Sequence, residues 1–309
     1  MINIPNLLLF IVLFTGIALF IDKFILYKDS EKEVNKNKNM FAIFFKKNIS
    51  FFSSFFYVFL LVFIVRSFLF EPFYIPSTSM NPTLLEGDFI LVKKYCYGIR
   101  NPINNNIMIS TNIPHRGDIV VFQYPQNHHI NFVKRVIGIP GDYIKYSNKK
   151  KQLIIYSKDH NNIYSNIQVH YNSLKNSKYE KLKLYSNKNN VFLNDSNNYQ
   201  KLLDHVFTME ENQETINNSS HKILINRLLE DDVKLYYKQN KVVAGEWIVP
   251  KSHYFVMGDY RDNSLDSRYW GFISEKELIG QANIIWMSIE KIKNIWPIHF
   301  RFNRIGLIH

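Results

Sequence analysis

Residues 116–142 read RGDIVVFQYPQNHHINFVKRVIGIPGD, and the patterning of this stretch decides the fold. Two short apolar runs rich in β-branched and aromatic residues, Ile119 to Tyr124 and Phe132 to Ile139, are separated by a polar loop carrying His128 and His129. Arg116-Gly117-Asp118 precedes the first run and Pro140-Gly141-Asp142 follows the second. Runs of this length bounded by turn chemistry predict strands. Further runs of the same kind occur at Phe89 to Val92, Tyr254 to Met257 and Gln281 to Ile289, and long amphipathic helical periods are scarce after Phe68. A mainly β domain follows. Ser274 with Glu277 has the spacing of a capping box, which predicts one short helix before the last strand.

Residues 149–245 differ from this pattern, being polar and poor in Gly and Pro. A weak strand is expected over Leu153 to Tyr156 and a helix near Ile223 to Leu229. The segment reads as an inserted second lobe without a catalytic constellation or an internal repeat.

The N-terminal part has another character. Leu7 to Ile21 is apolar apart from Thr15, and the apolar character resumes after Asp22 and Lys23 with Phe24 to Tyr27. That approaches the roughly 20 residues a spanning helix needs. No Lys or Arg precedes the run, which favours a retained span over a cleaved leader. A second run, Ile49 to Val65, contains Ser50, Ser53, Ser54 and Tyr57 as its polar interruptions, with Lys46 and Lys47 before it and Arg66 after it. An aromatic, uncharged run of this length is unusual in the core of a soluble domain. Between the runs lie Lys28, Lys32, Lys36, Lys38, Lys46 and Lys47 against Asp29, Glu31 and Glu33, so the positive-inside rule places this loop in the cytoplasm. The expected layout is a first span at 1–27, a cytoplasmic loop at 28–48 and a second span at 49–67. A β domain from 68–148 and 246–309 then lies on the opposite face, beginning where the second span ends, with the lobe 149–245 inserted into it.

With 309 residues and 46% hydrophobic residues, the chain has ample material for a core. A formal charge of +12 raises nucleic-acid binding, but the lysines are scattered among Asn, Ser and Tyr, with no nucleic-acid motif beside them. Cys96 is the single cysteine, which excludes an intrachain disulfide and a cysteine-based zinc site. No His-Glu-x-x-His occurs, and no histidine stands in a recognisable triad context.

Ser77, Thr78 and Ser79 follow Pro76 in a Pro-bounded loop just after the second apolar run. Serines in such loops cap turns and helices far more often than they attack substrates. A nucleophilic serine also needs a base. Lysine serves only when neutral, which requires burial among apolar groups. In Phe132-Val133-Lys134-Arg135-Val136-Ile137, strand alternation puts Lys134 on one face with Phe132 and Val136, and Arg135 on the other. Spacing alone leaves an ordinary exposed lysine as the commoner alternative.

A resemblance bears on that choice. Pro76 to Met80, then Asn81 to Asp88, Arg116 to Phe122, Lys134-Arg135 with Gly138 to Asp142, and Gly258 to Gly271 together resemble bacterial type I signal peptidase. Trp296-Pro297 and Arg304-Ile305-Gly306 also match, and the motifs occur in the family's order. The resemblance implies a mainly β catalytic domain with an inserted second lobe, anchored by two N-terminal transmembrane helices. It implies Ser79 as nucleophile and Lys134 as general base. Ser77 would supply a side-chain hydroxyl to the oxyanion hole beside the Ser79 N–H, Ser264 would orient the Lys134 amine, and Asp266 with Arg268 would form a supporting ion pair. Phe73, Ile75, Pro76, Met80, Leu84, Phe132 and Val133 would line a groove admitting small residues, such as Ala, at the first and third positions before the cut. No cofactor or metal is implied. The implied partners are signal-peptide-bearing preproteins and the lipid bilayer, with the secretion translocon as a further candidate and no nucleic acid. The implied location is the bacterial cytoplasmic membrane, multi-pass, with the catalytic domain on the periplasmic face. Thr78 departs from the Gly or small residue usual between the two serines, and the lobe lacks the cysteine pair some members carry. Two rival readings are another membrane-tethered Ser/Lys protease acting on folded partners or on itself, and a non-enzymatic basic membrane protein that binds presequences, translocon components or acidic polymers.

Overall fold

A computed structural model describes residues 4–26, 40–102, 106–158, 163–174, 209–227, 229–290 and 299–308. The chain divides into two compact units, Met1–Glu71 with Lys93–Thr111, and Pro72–Val92 with Asn112–His309.

The first unit is built on two apolar helices. One runs over Ile4–Phe20 and continues in wider π-helical turns over Ile21–Leu26. The other is formed by Met40–Ser54, Phe56–Ile64 and the π turns of Val65–Leu69. Stretches of 20 residues (Pro5–Phe24) and 24 residues (Lys46–Leu69) are long and apolar enough to cross a membrane. The two helices approach closely at Gly16, where an added Cβ would lie 3.1 Å from the Phe56 ring, and Ser53 donates a hydrogen bond to the Asp22 carboxylate at 3.1 Å. Thr15 is silenced inside its own helix, its hydroxyl donating to the Ile11 carbonyl at 2.8 Å. A small hairpin, Ile99–Arg100 with Ile107–Ile109, belongs to the same unit.

The second unit is mainly β, as the short apolar runs predict. Its largest sheet orders the strands Phe70–Tyr74, Asp88–Lys93, Leu278–Glu290, Ile119–Tyr124, Asn127–Gly138, His253–Met257 and Ile273–Ser274. Ile119–Tyr124 and Asn127–Gly138 pair antiparallel with Val120 opposite Lys134. On the other edge, His253–Met257 pairs with Asn127–Gly138 from Gly138 back to Arg135. Beyond that point, Phe132 to Lys134 have no strand on this edge among the described residues. Ile75, Met80, Leu84, Ile90, Val92, Ile119, Val121, Ala282 and Ile285 form one core cluster, and Ile137, Ile144, Trp247 and Phe255 belong to another.

The described part of 149–245 lies in this same compact unit. Gln152–Lys158 and Tyr164–Ile167 join Tyr143–Ser147 and Glu246–Ile248 in a four-stranded sheet, while Val169–Leu174, Glu210–Ile216 and Ser219–Ile225 make a three-stranded one. The expected helix near Ile223 to Leu229 is corrected: Ser219–Ile225 is a strand. Ile223, Leu224 and Ile225 are all buried, and a short apolar run covered on both faces has no period by which helix and strand can be told apart. The capping-box helix is a single 3₁₀ turn, Glu275–Glu277, with the Glu277 carboxylate accepting from the Ser274 N–H at 2.7 Å.

Candidate active site

The loop from Ile75 to Asp88 presents Ser79. Its shape is set by Asp88, a fully buried carboxylate that accepts from the Leu85 N–H at 2.8 Å and from Ser288 Oγ at 2.6 Å, and pairs with Arg304 at 2.7 Å. Gly87 completes the turn at φ +91°, and a Cβ there would sit 1.9 Å from the Ile289 carbonyl, so only glycine lets the loop lie on the Leu278–Glu290 strand. The loop is thereby braced at its far end, leaving Ser77 to Ser79 exposed or half-buried at its start.

Lys134 Nζ donates a hydrogen bond to Ser79 Oγ across 2.7 Å. The lysine is 4% exposed. Burial lowers its pKa to about 8, against the opposing pull of the Asp266 and Asp259 charges and with help from Arg268. Lowering the pKa this far makes a fraction of the amine neutral near neutral pH, and a neutral amine in the same position accepts the serine proton. Ser77 Oγ stands 3.5 Å from Ser79 Oγ.

The segment after His253–Met257 forms the second wall. Gly258 donates its N–H to Asp266 Oδ2 at 3.1 Å, and Tyr260 donates its N–H to the Ser79 carbonyl at 3.1 Å. Gly258 has no room for a side chain: a Cβ would lie 2.3 Å from Ser264 Oγ and 2.5 Å from the Ser79 carbonyl oxygen. Ser264 is buried and its hydroxyl helps to hold the Asp266 carboxylate charged, while no hydrogen bond from it to Lys134 is found among the described residues. Asp266 and Arg268 are both fully buried, with Arg268 Nε on Oδ1 at 2.8 Å and Nη2 on Oδ2 at 2.9 Å. Burial works against ionisation of Asp266, yet the guanidinium and the Gly258 N–H hold its carboxyl below the usual range. This is no plain surface pair; removing one partner would strand a buried charge.

Of the expected groove residues, Phe73, Phe132 and Val133 are half-buried and Pro76 is exposed. Phe132 stacks on Tyr124 with ring centroids 4.6 Å apart, and its own ring lies 5.5 Å from Lys134 Nζ. Ile75, Met80 and Leu84 are 3%, 1% and 0% exposed and belong to the core beneath the loop.

One contributor escaped the sequence reading. Arg135, the residue after Lys134, is buried and forks onto Asp259 at 2.8 and 2.7 Å, with Thr83 Oγ1 donating to the same carboxylate. Burial opposes the Asp259 charge and Arg135 sustains it, leaving the carboxyl below its usual range. The pair ties the Lys134 strand to the Gly258–Ser264 segment. Alternation marked Arg135 as facing away from Lys134, but nothing in the pattern said that this face was also covered.

The sequence profile of the family described as signal peptidase, peptidase S26, matches residues 48–287. The signal peptidase I of Buchnera aphidicola subsp. Baizongia pistaciae is 43% identical over 300 residues, covering 96% of this chain and 96% of its own. That of Buchnera aphidicola subsp. Acyrthosiphon pisum is 46% identical over 282 residues, 90% of this chain and 86% of its own. That of Haemophilus influenzae is 35% identical over 281 residues, 82% of this chain and 74% of its own. A match at this length and identity, on a mainly β unit that holds a buried lysine against a loop serine, makes the chain a serine endopeptidase belonging to the signal peptidase family, peptidase S26.

Proposed function

We propose that the chain removes N-terminal signal peptides from exported preproteins, cutting after small residues of the Ala-x-Ala kind, with Ser79 as nucleophile and Lys134 as general base. The 2.7 Å contact between a buried lysine amine and Ser79 Oγ carries this reading. Ser79 Oγ attacks the carbonyl carbon of the residue before the cut while its proton passes to neutral Lys134. Charge developing on the carbonyl oxygen is received by Ser77 Oγ and the Ser79 N–H, donors that matter because the charge exists only in the transition state. The resulting Lys134 ammonium gives its proton to the leaving amine as the peptide bond breaks, leaving an ester on Ser79. Lys134, neutral again, takes a proton from water, whose oxygen attacks the ester carbonyl, and then returns that proton to Ser79 Oγ as the acyl group departs. Ser264 and the Asp266–Arg268 pair keep the wall behind Lys134 in place.

The substrate is read as an extended strand added at the open edge of Phe132 to Lys134, where backbone groups set its register. Phe73, Pro76, Phe132 and Val133 meet its side chains, and Ile75, Met80 and Leu84 back the floor, which limits the pockets to small residues. The 20- and 24-residue apolar helices support a double span of the bacterial cytoplasmic membrane. The lysines between them support a cytoplasmic loop and a catalytic domain, 68–148 and 246–309 with the lobe 149–245 inserted, on the periplasmic face. Preproteins and the bilayer are then the partners, with the translocon as source of substrate.

The test is cleavage of a purified signal-peptide-bearing precursor by the detergent-solubilised chain, beside Ser79→Ala and Lys134→Ala, and with presequences altered at the first and third positions before the cut. Cleavage by the parent alone, abolished by bulky residues at those positions, is expected. Equal cleavage by all three proteins refutes the dyad; indifference to the altered positions refutes the specificity.

A further inference from the structure

Glu214 lies mid-strand in Glu210–Ile216, directly opposite His221 of the neighbouring strand. Its carboxylate is fully buried and receives both arms of Arg261, Nη1 at 2.9 Å and Nη2 in a shorter contact, while His221 Nε2 stands 3.0 Å away. Arg261 is itself 1% exposed. Burial works against a charged Glu214, but Arg261 and His221 hold its carboxyl far below the usual range. Enclosing an ion pair so completely is a poor route to stability, since an apolar replacement of similar volume does as well or better. What the pair does supply is a fixed geometry between two elements.

Those elements are the three-stranded sheet and the segment that touches the nucleophile. Arg261 follows Tyr260, whose N–H donates to the Ser79 carbonyl at 3.1 Å. The sheet grips the same segment at several points: the Leu224 N–H donates to the Asp259 carbonyl at 2.9 Å, Leu224 forms a parallel bridge with Tyr260, and the Asn226 N–H donates to Asp262 Oδ2 at 2.6 Å. From the other side Arg268, the partner of Asp266, donates to the Arg261 carbonyl. Residues 259–262 are thus a bracket, fastened to the three-stranded sheet on one side and to Ser79 on the other.

We propose that Glu214 is a positioning residue for Ser79, acting through Arg261 to hold the bracket in the conformation in which Tyr260 grips the nucleophile's carbonyl. The proposal rests on the dyad reading above. It gives the segment between the catalytic strands a role in catalysis without a group of its own at the reacting atoms. The partners of Glu214 among the described residues are Arg261, His221 and Tyr171, none of them a groove residue, so its loss acts on the alignment of Ser79 and leaves substrate binding alone.

The test uses the full detergent-solubilised chain with a signal-peptide-bearing precursor, comparing the parent, Glu214→Gln, Arg261→Lys and Ser79→Ala. Activity is normalised to folded protein by circular dichroism, with kcat and KM resolved across pH. Glu214→Gln is expected to lower kcat on the order of 10- to 100-fold, the scale of a sub-ångström to 1 Å misplacement. KM and the midpoint of the acid limb are expected to stay at the parent's values, because Asp266, Asp259 and Arg268 around Lys134 are untouched. Arg261→Lys, which keeps the charge but loses the two-armed fork, is expected to show the same split and carries the test if Glu214→Gln does not fold. A normal kcat per folded molecule overturns the proposal, as does a moved acid limb, which would put the action on Lys134. Cleavage surviving in Ser79→Ala overturns the dyad and this proposal together, whereas a silent Ser79→Ala beside a fully active Glu214→Gln overturns this proposal alone.

Discussion

Gly258→Ala adds one methyl group at the place where the two walls of the site meet. Its Cβ would lie 2.3 Å from Ser264 Oγ, 2.5 Å from the Ser79 carbonyl oxygen and 2.6 Å from Ser264 Cβ. Ordinary contact for such atoms begins near about 3.4 Å, so both neighbours lie about 1 Å too close and both have to give. Neither has an easy path: the Ser79 carbonyl is held by the Tyr260 N–H and Ser264 is buried. Overpacking of this kind costs about 1–3 kcal/mol of stability, which the folded unit can survive. Catalysis is less forgiving, because moving Ser79 by about 1 Å takes its Oγ out of line with Lys134 and costs about 100-fold in kcat. The assay is precursor cleavage at a temperature where circular dichroism shows the variant folded. A folded Gly258→Ala with the parent's kcat would mean that the contact between Gly258 and the nucleophile loop does not govern the alignment of Ser79.

Activity is expected to fall as pH drops below about 8, since protonated Lys134 cannot accept a proton; about one-tenth of the enzyme is competent at pH 7 and about one-hundredth at pH 6. A single-turnover pH profile flat across that range refutes this. Asp259→Asn removes a charge that raises the Lys134 pKa, so the acid limb moves to lower pH, and it leaves Arg135 buried without its partner, a loss of about 3–5 kcal/mol measurable by thermal unfolding. A limb displaced upward in that variant contradicts the electrostatic account. Ser77→Ala is expected to reduce kcat about 10²- to 10³-fold with KM little changed, as for loss of one oxyanion donor; an unaltered kcat removes Ser77 from the mechanism.

Much of this was legible in residue order. Short apolar runs between turn signals marked the strands that carry Lys134, because strand periodicity and turn chemistry are local properties. The two apolar helices were legible for the same reason, as length and composition suffice to identify them. The strand at Ser219–Ile225 was misread because its apolar residues are covered from both sides, which leaves no alternation to see. Alternation put Arg135 on the face away from Lys134, and it could not show that this face is closed as well, by Asp259 and Thr83.

By itself the sequence offered Ser79 in a Pro-bounded loop and Lys134 in an apolar strand as candidates, singled out only by the resemblance of the motifs around them, and it marked the surrounding domain as mainly β. Tertiary structure alone decided that the lysine is buried, that its amine lies 2.7 Å from Ser79 Oγ, that Gly258 packs against the Ser79 carbonyl, and that Arg135 and Glu214 pair with Asp259 and Arg261 on either side of the residue that grips it. The physical reason is that desolvation and close approach are produced by segments far apart in the chain, Thr83, Lys134, Glu214 and Asp259 among them, whose meeting no local period encodes.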